Sequence, residues 1–186
     1  PPRSTLSSSS AASDVYKRQN GIYGEMMFAA IIASAFVVHD AKELISIGLS
    51  EIPRNCRLSE AVHAALDEIA RCNDFHSYMD WVQLRYGDLS PVHTVNNALV
   101  IIGSMIYGQM DFHKSICTSV EGAWDTDCNG ATCGSIVGAA SGAQGLNYTL
   151  VSPLYDSIRP KVFGFEEIKM SELAERTLQV QKMITQ

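Results

Sequence analysis

The stretch Trp124-Asp125-Thr126-Asp127-Cys128-Asn129-Gly130-Ala131-Thr132 sets two carboxylates one residue apart at the head of a run of small residues. Behind it, Gly130, Gly134, Gly138 and Gly142 recur every four positions, the period of one helix face. The spacing predicts a helix with the acids at its start. Each interior glycine costs about 1 kcal/mol of helix propensity, so such a run predicts close approach of a neighbouring helix. On a regular helix, residues two apart point to different sides. In the turn that precedes a helix they can converge, and the positive helix N-terminus favours negative charge there. Paired carboxylates with hydroxyl neighbours make a hard-oxygen site suited to Mg²⁺ or Mn²⁺. The competing reading is plain capping, with Asp127 as the N-cap and Asp125 in water.

Working outward, the chain reads as helical in pattern. Residues 26–38, MMFAAIIASAFVV, are apolar throughout and predict a buried central helix; they fall short of the roughly 20 residues a membrane span requires. Further helices are predicted over 41–52, 59–72, 78–86, 96–107, 111–120 and 171–184, from apolar positions at helical spacing and from Pro53 and Gly87 as stops. Only 161–165 looks strand-like. Asn20, Gly21 and Gly24 read as a loop ahead of the apolar stretch. Residues 1–19, rich in Ser and without apolar periodicity, predict a disordered, non-native leader. The chain proper is then a single domain over 20–186.

Composition narrows the class. Of 186 residues, 46% are apolar and 18% charged, an ordinary globular balance. A net charge of −6 argues against a nucleic-acid groove, which needs a basic face. The odd number of cysteines, five, follows no regular spacing and suggests reduced thiols in a cytoplasmic protein.

The string WDTDCNGATCGSIVGAASGA over 124–143 resembles the C-terminal signature of the ADP-ribosylglycohydrolase family, in which Asp-Thr-Asp-(Thr or Ser) precedes a small-residue helix. NGIYGEMMFAAIIASAF over 20–36, HTVNNALVIIGSMIYG over 93–108 and SPLYDSIRP over 152–160 are similar to a bacterial branch of it. The resemblance implies an all-α helical bundle, truncated at its N-terminus. It also implies a two-Mg²⁺ centre that cleaves a glycosidic bond at the terminal ribose of ADP-ribose. The implied partner is an ADP-ribosylated protein or an ADP-ribose-containing small molecule, with no nucleic acid and no membrane. Asp125 and Asp127 match the family's metal ligands, and Cys128 stands where a liganding hydroxyl is usual.

A thiol is a soft, poor ligand for Mg²⁺. Cys128 therefore departs from the pattern, while Cys133 reads as core packing. The family's other ligands belong to an Asp-rich motif that would lie upstream of Asn20, and its proton acceptor with them. No catalytic base is assigned in this chain on that account, and the native protein is expected to continue further upstream. Asn20, Gly21, His93 and Trp124 are candidates for substrate contact: the first two by likeness to the family's pocket loop, His93 by its place before Asn96-Asn97, Trp124 as a stacking surface. Each has a structural alternative as a cap or core residue. Two further readings stay open: a module that binds ADP-ribose-like ligands without turnover, and a purely structural helical domain.

Overall fold

A computed structural model of the chain describes residues 15–146 and 148–185. They fall into two compact units that divide after Gly145. The first holds seven helices: α1 Val15–Ser34, α2 Ala41–Ser50, α3 Arg57–Ile69, α4 Phe75–Tyr86, α5 Thr94–Tyr107, α6 Phe112–Glu121 and α7 Thr126–Gly145. The all-α class expected from the sequence is what forms.

Most starts are set by side-chain caps. The Asp40 carboxylate accepts from the Glu43 N–H at 2.9 Å, Asp74 from Ser77 at 2.9 Å and Asp111 from Lys114 at 2.8 Å. The Asp74 cap starts α4 at Phe75, three residues ahead of the expected boundary, and puts Phe75, Tyr78 and Val82 on the buried stripe.

The central helix is α5, which touches every other helix of the unit. It is buried continuously from Val95 to Met105. The sequence had pointed instead to 26–38. That stretch is peripheral: α1 buries the stripe Asn20, Gly24, Met27 and Ile31 and leaves Met26 at its surface, with Phe36 and Val37 exposed past its end. The reason lies in the polar residues of α5, which are short and find hydrogen-bond partners, on their own helix or across the bundle. The Ser104 hydroxyl donates to the Val100 carbonyl at 2.7 Å, so nothing polar keeps the helix at the surface. Even the extra lone pair of Leu99 O is used, by the buried Tyr78 hydroxyl at 2.9 Å.

Two corners share one backbone path. After α5, Gly108 is followed by Gln109 and Met110, both at φ 57°, and then by Asp111. After α6, Gly122 is followed by Ala123 at φ 60° and Trp124 at φ 55°, and then by Asp125. At Gly122 a Cβ would lie 2.6 Å from Val100 Cγ1 and 3.2 Å from Phe75 Cζ. That corner is pressed against α4 and α5 and has room for hydrogen only.

Behind the acids, α7 packs on α6 as expected. Cβ atoms at Gly130 and Gly134 would meet Val120 and Ile116 at 3.2 and 3.3 Å. Gly142 does not serve that role. With φ 64° and ψ 169° it is non-helical and breaks α7 near its end.

Residues 1–14 of the expected leader lie outside the described residues. Residues 15–19 are helical, the start of α1, since nothing between Val15 and Asn20 breaks a helix and Gln19 Nε2 donates to Tyr23 Oη one turn on at 2.8 Å.

The second unit contains α8 Tyr148–Val151, a 3₁₀ turn Ser152–Leu154, strands β1 Ser157–Ile158 and β2 Ile168–Lys169, and α9 Met170–Ile184. The strands pair antiparallel, Ser157 opposite Lys169 and Ile158 opposite Ile168. The strand-like 161–165 is instead the hairpin tip, with Val162 bridged to Phe165 and Gly164 turned to φ 83°. Asp156 caps α9, its carboxylate accepting from the Ser171 N–H at 3.0 Å and the Ser171 hydroxyl at 2.6 Å.

Gly122→Ala is expected to destabilise the first unit by about 1–3 kcal/mol through overpacking against Val100 and Phe75, measurable by urea denaturation. The Asp156 cap gives a pH dependence of known sign. The Ser171 hydrogen bonds hold this carboxyl below its ordinary value, so their stabilisation is complete above the usual carboxylate range and is lost as pH falls through the lowered value. The Ser171 amide resonance should report that loss on acidification, and Asp156→Asn should flatten the response.

Candidate metal centre

The site is built where three segments meet at the N-terminal end of α5. Asp125 stands just ahead of α7, and its carbonyl accepts the first helical bond from the Asn129 N–H at 2.8 Å. Outside the helical repeat, the Asp125 side chain is free to turn toward residue 127. Donor atoms of Asp125, Asp127 and Cys128 all lie within 4.8 Å of one another. Asp125 is half-buried, while Asp127 and Cys128 face solvent.

Asn97 fixes this placement. Its Oδ1 accepts from the Asp125 N–H at 3.2 Å and from Asn129 Nδ2 at 2.7 Å. Its Nδ2 donates to the Pro91 carbonyl at 2.7 Å and the His93 carbonyl at 2.9 Å. Both lone pairs and both amide hydrogens are therefore used, as a buried amide requires. Asn96 ties the same turn, donating to the Ser90 carbonyl at 3.2 Å.

Charge at the site follows from this geometry. A hydrogen bond shared with the Asp125 carboxyl, helped by the backbone N–H groups of Asp127 and Cys128, holds Asp127 below the usual carboxylate range. The Cys128 thiol is pushed up, first by its hydrogen bond to Asp125, then by burial and by the charge of both acids. Both shifts have one origin, the crowding of three polar side chains at the start of α7. Cys133 differs in kind: buried, donating to the Ser115 carbonyl at 3.5 Å, with its thiol pushed up to about 12 by burial. It packs the core, as expected.

The other candidates are placed as follows. Asn20 and Gly21 are inside α1, not in a loop, so the N–H groups there serve the helix and form no diphosphate cradle. The local glycines serve contact instead: a Cβ at Gly24 would collide with Thr94, the first residue of α5, and one at Gly21 would sit 3.9 Å from Thr94 Oγ1. Asn20 is buried, and its Oδ1 has no hydrogen-bond partner among the described residues. His93 is the N-cap of α5, its Nδ1 accepting from the Val95 N–H at 3.1 Å. Trp124 is half-buried against the core at its left-handed corner. Nearby, at the end of α6, the Glu121 carboxylate lies 3.1 Å from His76 Nε2.

The structure thus brings Asp125, Asp127 and Cys128 together. His93 is linked to them indirectly, its carbonyl bonded by the same Asn97 that holds the Asp125 N–H, while Gly21 and Gly24 meet only Thr94 at the start of α5. Asn97 itself was missed. The available signal was two adjacent amides in the first turn of an otherwise apolar helix, which once buried must find partners.

The donor set can be judged against a divalent cation. Two convergent carboxylates at an exposed position fit one; the thiol does not match the hard-oxygen preference of Mg²⁺. A family model for ADP-ribosylglycohydrolases matches residues 4–184.

The chain belongs to the ADP-ribosylglycohydrolase family.

The match reaches upstream of Asn20, where the recognised motifs begin. No curated protein and no solved structure matches the chain. Membership makes it a hydrolase of the glycosidase type, from a family that acts on ADP-ribosylated substrates. Among the described residues, no helix is long and apolar enough to cross a membrane.

Asn97→Ala would leave the Asp125 N–H, the Asn129 amide and two carbonyls without their partner. The expected loss is about 3 kcal/mol or more of unfolding free energy, since each orphaned buried group costs about 1–3 kcal/mol. Asn97→Asp should be no milder, because a carboxylate cannot donate to Pro91 and His93. Chemical denaturation of both variants checks this, and a loss under 1 kcal/mol would show that Asn97 does not hold the corner.

Proposed function

We propose that this ADP-ribosylglycohydrolase cleaves an ADP-ribosyl, or related ribosyl, glycosidic bond with a divalent cation held by Asp125 and Asp127. Mg²⁺ is the cation the family resemblance implies, with Mn²⁺ as a substitute of the same oxygen preference. The observation that carries the reading is the convergence of the two carboxylates on a corner fixed from behind by Asn97. A cation bound there would polarise ribose hydroxyls or a water next to the scissile bond. Asp125 supplies the anchored ligand, because its backbone is tied to α5. Asp127, lowered into its ionised form, supplies the exposed one. Trp124, beside them, offers an apolar flank for a ribose or base, and the orphaned Oδ1 of Asn20 remains as an acceptor on the face that meets α5.

A second reading is a module that binds ADP-ribose-like ligands without turnover. It is favoured by the thiol at 128 and by the small donor set: among the described residues, only these three form a metal-capable group.

Calorimetric titration of Mg²⁺ tests the first reading. Native protein should release or absorb heat at a single class of site, while Asp125→Asn and Asp127→Asn, still helical by circular dichroism, should lose it. Identical traces from native and both variants would remove the metal reading. Release of free ADP-ribose from a mono-ADP-ribosylated protein then separates hydrolase from binding module: binding with no release favours the module.

A further inference from the structure

We propose that the cavity between the start of α2 and the corner after α5 is a second ligand site, which takes a small zwitterion with an apolar body. By chemical class this is a free α-amino acid with an aliphatic or aromatic side chain. The cavity measures about 370 Å³; the first segment lines it with Asp40 and Lys42, the second with Met105, Ile106, Gln109 and Met110. That volume falls within the roughly 300–1,000 Å³ of small-molecule sites. It is separate from the acid corner. Met105 comes eight residues after Asn97 on α5, about 12 Å along the axis at the helical rise, so the two places lie toward opposite ends of one helix.

The wall on the α5 side is preformed. Gln109 and Met110 are both left-handed, and their N–H groups donate back to the Ile106 and Met105 carbonyls at 3.1 Å each. This closure returns the chain over the end of its own helix, which is how residues 105, 106, 109 and 110 come to line one space. Met105 is buried, and Ile106 and Met110 are half-buried. Their apolar floor, with two flexible thioethers, adapts to aliphatic and aromatic shapes alike.

The charges set the ligand class. Asp40 and Lys42 line the same space, and among the described residues neither belongs to an ion pair. A plain anion would meet Asp40 and a plain cation Lys42, whereas a zwitterion gives each its opposite. Asp40 Oδ1 is committed to the Glu43 N–H at 2.9 Å, which leaves Oδ2 to accept from the ligand's ammonium. The Lys42 ammonium donates to its carboxylate, and the Gln109 amide can donate or accept beside them. The apolar body then rests on Met105, Ile106 and Met110.

The test is calorimetry on the full chain with L-leucine and L-phenylalanine as probes. The controls are phenethylamine, which lacks the carboxylate, and N-acetyl-L-phenylalanine, which lacks the ammonium. Both amino acids should bind at one site, and each control about tenfold or more weaker, the effect of losing one charge-assisted hydrogen bond. Lys42→Gln and Asp40→Ser should each weaken L-phenylalanine by a similar factor. A serine still caps α2, so the second variant removes the charge and keeps the helix. With methionine methyl groups labelled for NMR, L-phenylalanine should shift Met105 and Met110 and leave Met183 in place. Absence of heat with both amino acids, equal affinity for either control, or unchanged affinity in both variants would overturn the proposal.

Discussion

A single buried amide, Asn97, joins the turn ahead of α5 to the start of α7. It links Asp125 and Asn129, 28 and 32 residues further along the chain, to the carbonyls of Pro91 and His93. Burying an amide without partners is costly, so this side chain is tolerated in the central helix only because all of its capacity is used. The consequence runs in both directions. The corner before α7 holds Ala123 and Trp124 in left-handed backbone, at roughly 1–2 kcal/mol each for residues with a Cβ. The Asp125 N–H on Asn97 Oδ1 helps keep that strained path occupied. Gly122 permits the corner to press against α4 and α5, and the acids then emerge at a fixed point of the bundle surface.

The molecule contains its own control for this geometry. The corner after α5 follows the same path, a glycine, two left-handed residues and an aspartate, yet among the described residues it gathers no metal-capable group. There the aspartate is Asp111, followed by Phe112, His113 and Lys114, and its carboxylate caps its own helix at the Lys114 N–H. After α6 the aspartate is Asp125, followed by Thr126, Asp127 and Cys128. A second acid takes the place held by His113, and the carboxylate of Asp125 lies with Asp127 and Cys128 instead. The backbone supplies an exposed helix start in both places. What distinguishes them chemically is the pair of residues two and three positions on.

Which parts of this were legible in the sequence follows from how far each interaction reaches. The helix behind the acids, its packing on α6 through Gly130 and Gly134, and the convergence of the acids ahead of it are local, and the sequence shows them. Boundaries set by a cap were legible only where the cap was recognised; Asp74, unrecognised, moved the start of α4. The left-handed corners were hidden because Ala123, Trp124, Gln109 and Met110 carry no glycine-like signal. Asn20-Gly21-x-x-Gly24 gave the loop signal of its composition, whereas the glycines are there to let α1 approach Thr94. The role of Asn97 was out of reach for a different reason: its partners are distant in sequence, and only the fold makes them neighbours. The same holds for the choice of central helix, where burial depends on what the polar residues can bond rather than on apolar content.

The exposure of the acid pair bears on what kind of centre it suits. A structural metal site is closed, with every position filled by protein and little solvent access. Here the one anchored donor, on Asp125, is half-buried, and the other two face outward. An ion held this way keeps positions for water or a ligand oxygen, which is the condition for Lewis-acid chemistry on a bound sugar. Anchoring one carboxylate through the backbone and leaving two side chains at the surface also means that a change of residue at 128 leaves the corner intact, since Cys128 takes no part in the Asn97 network.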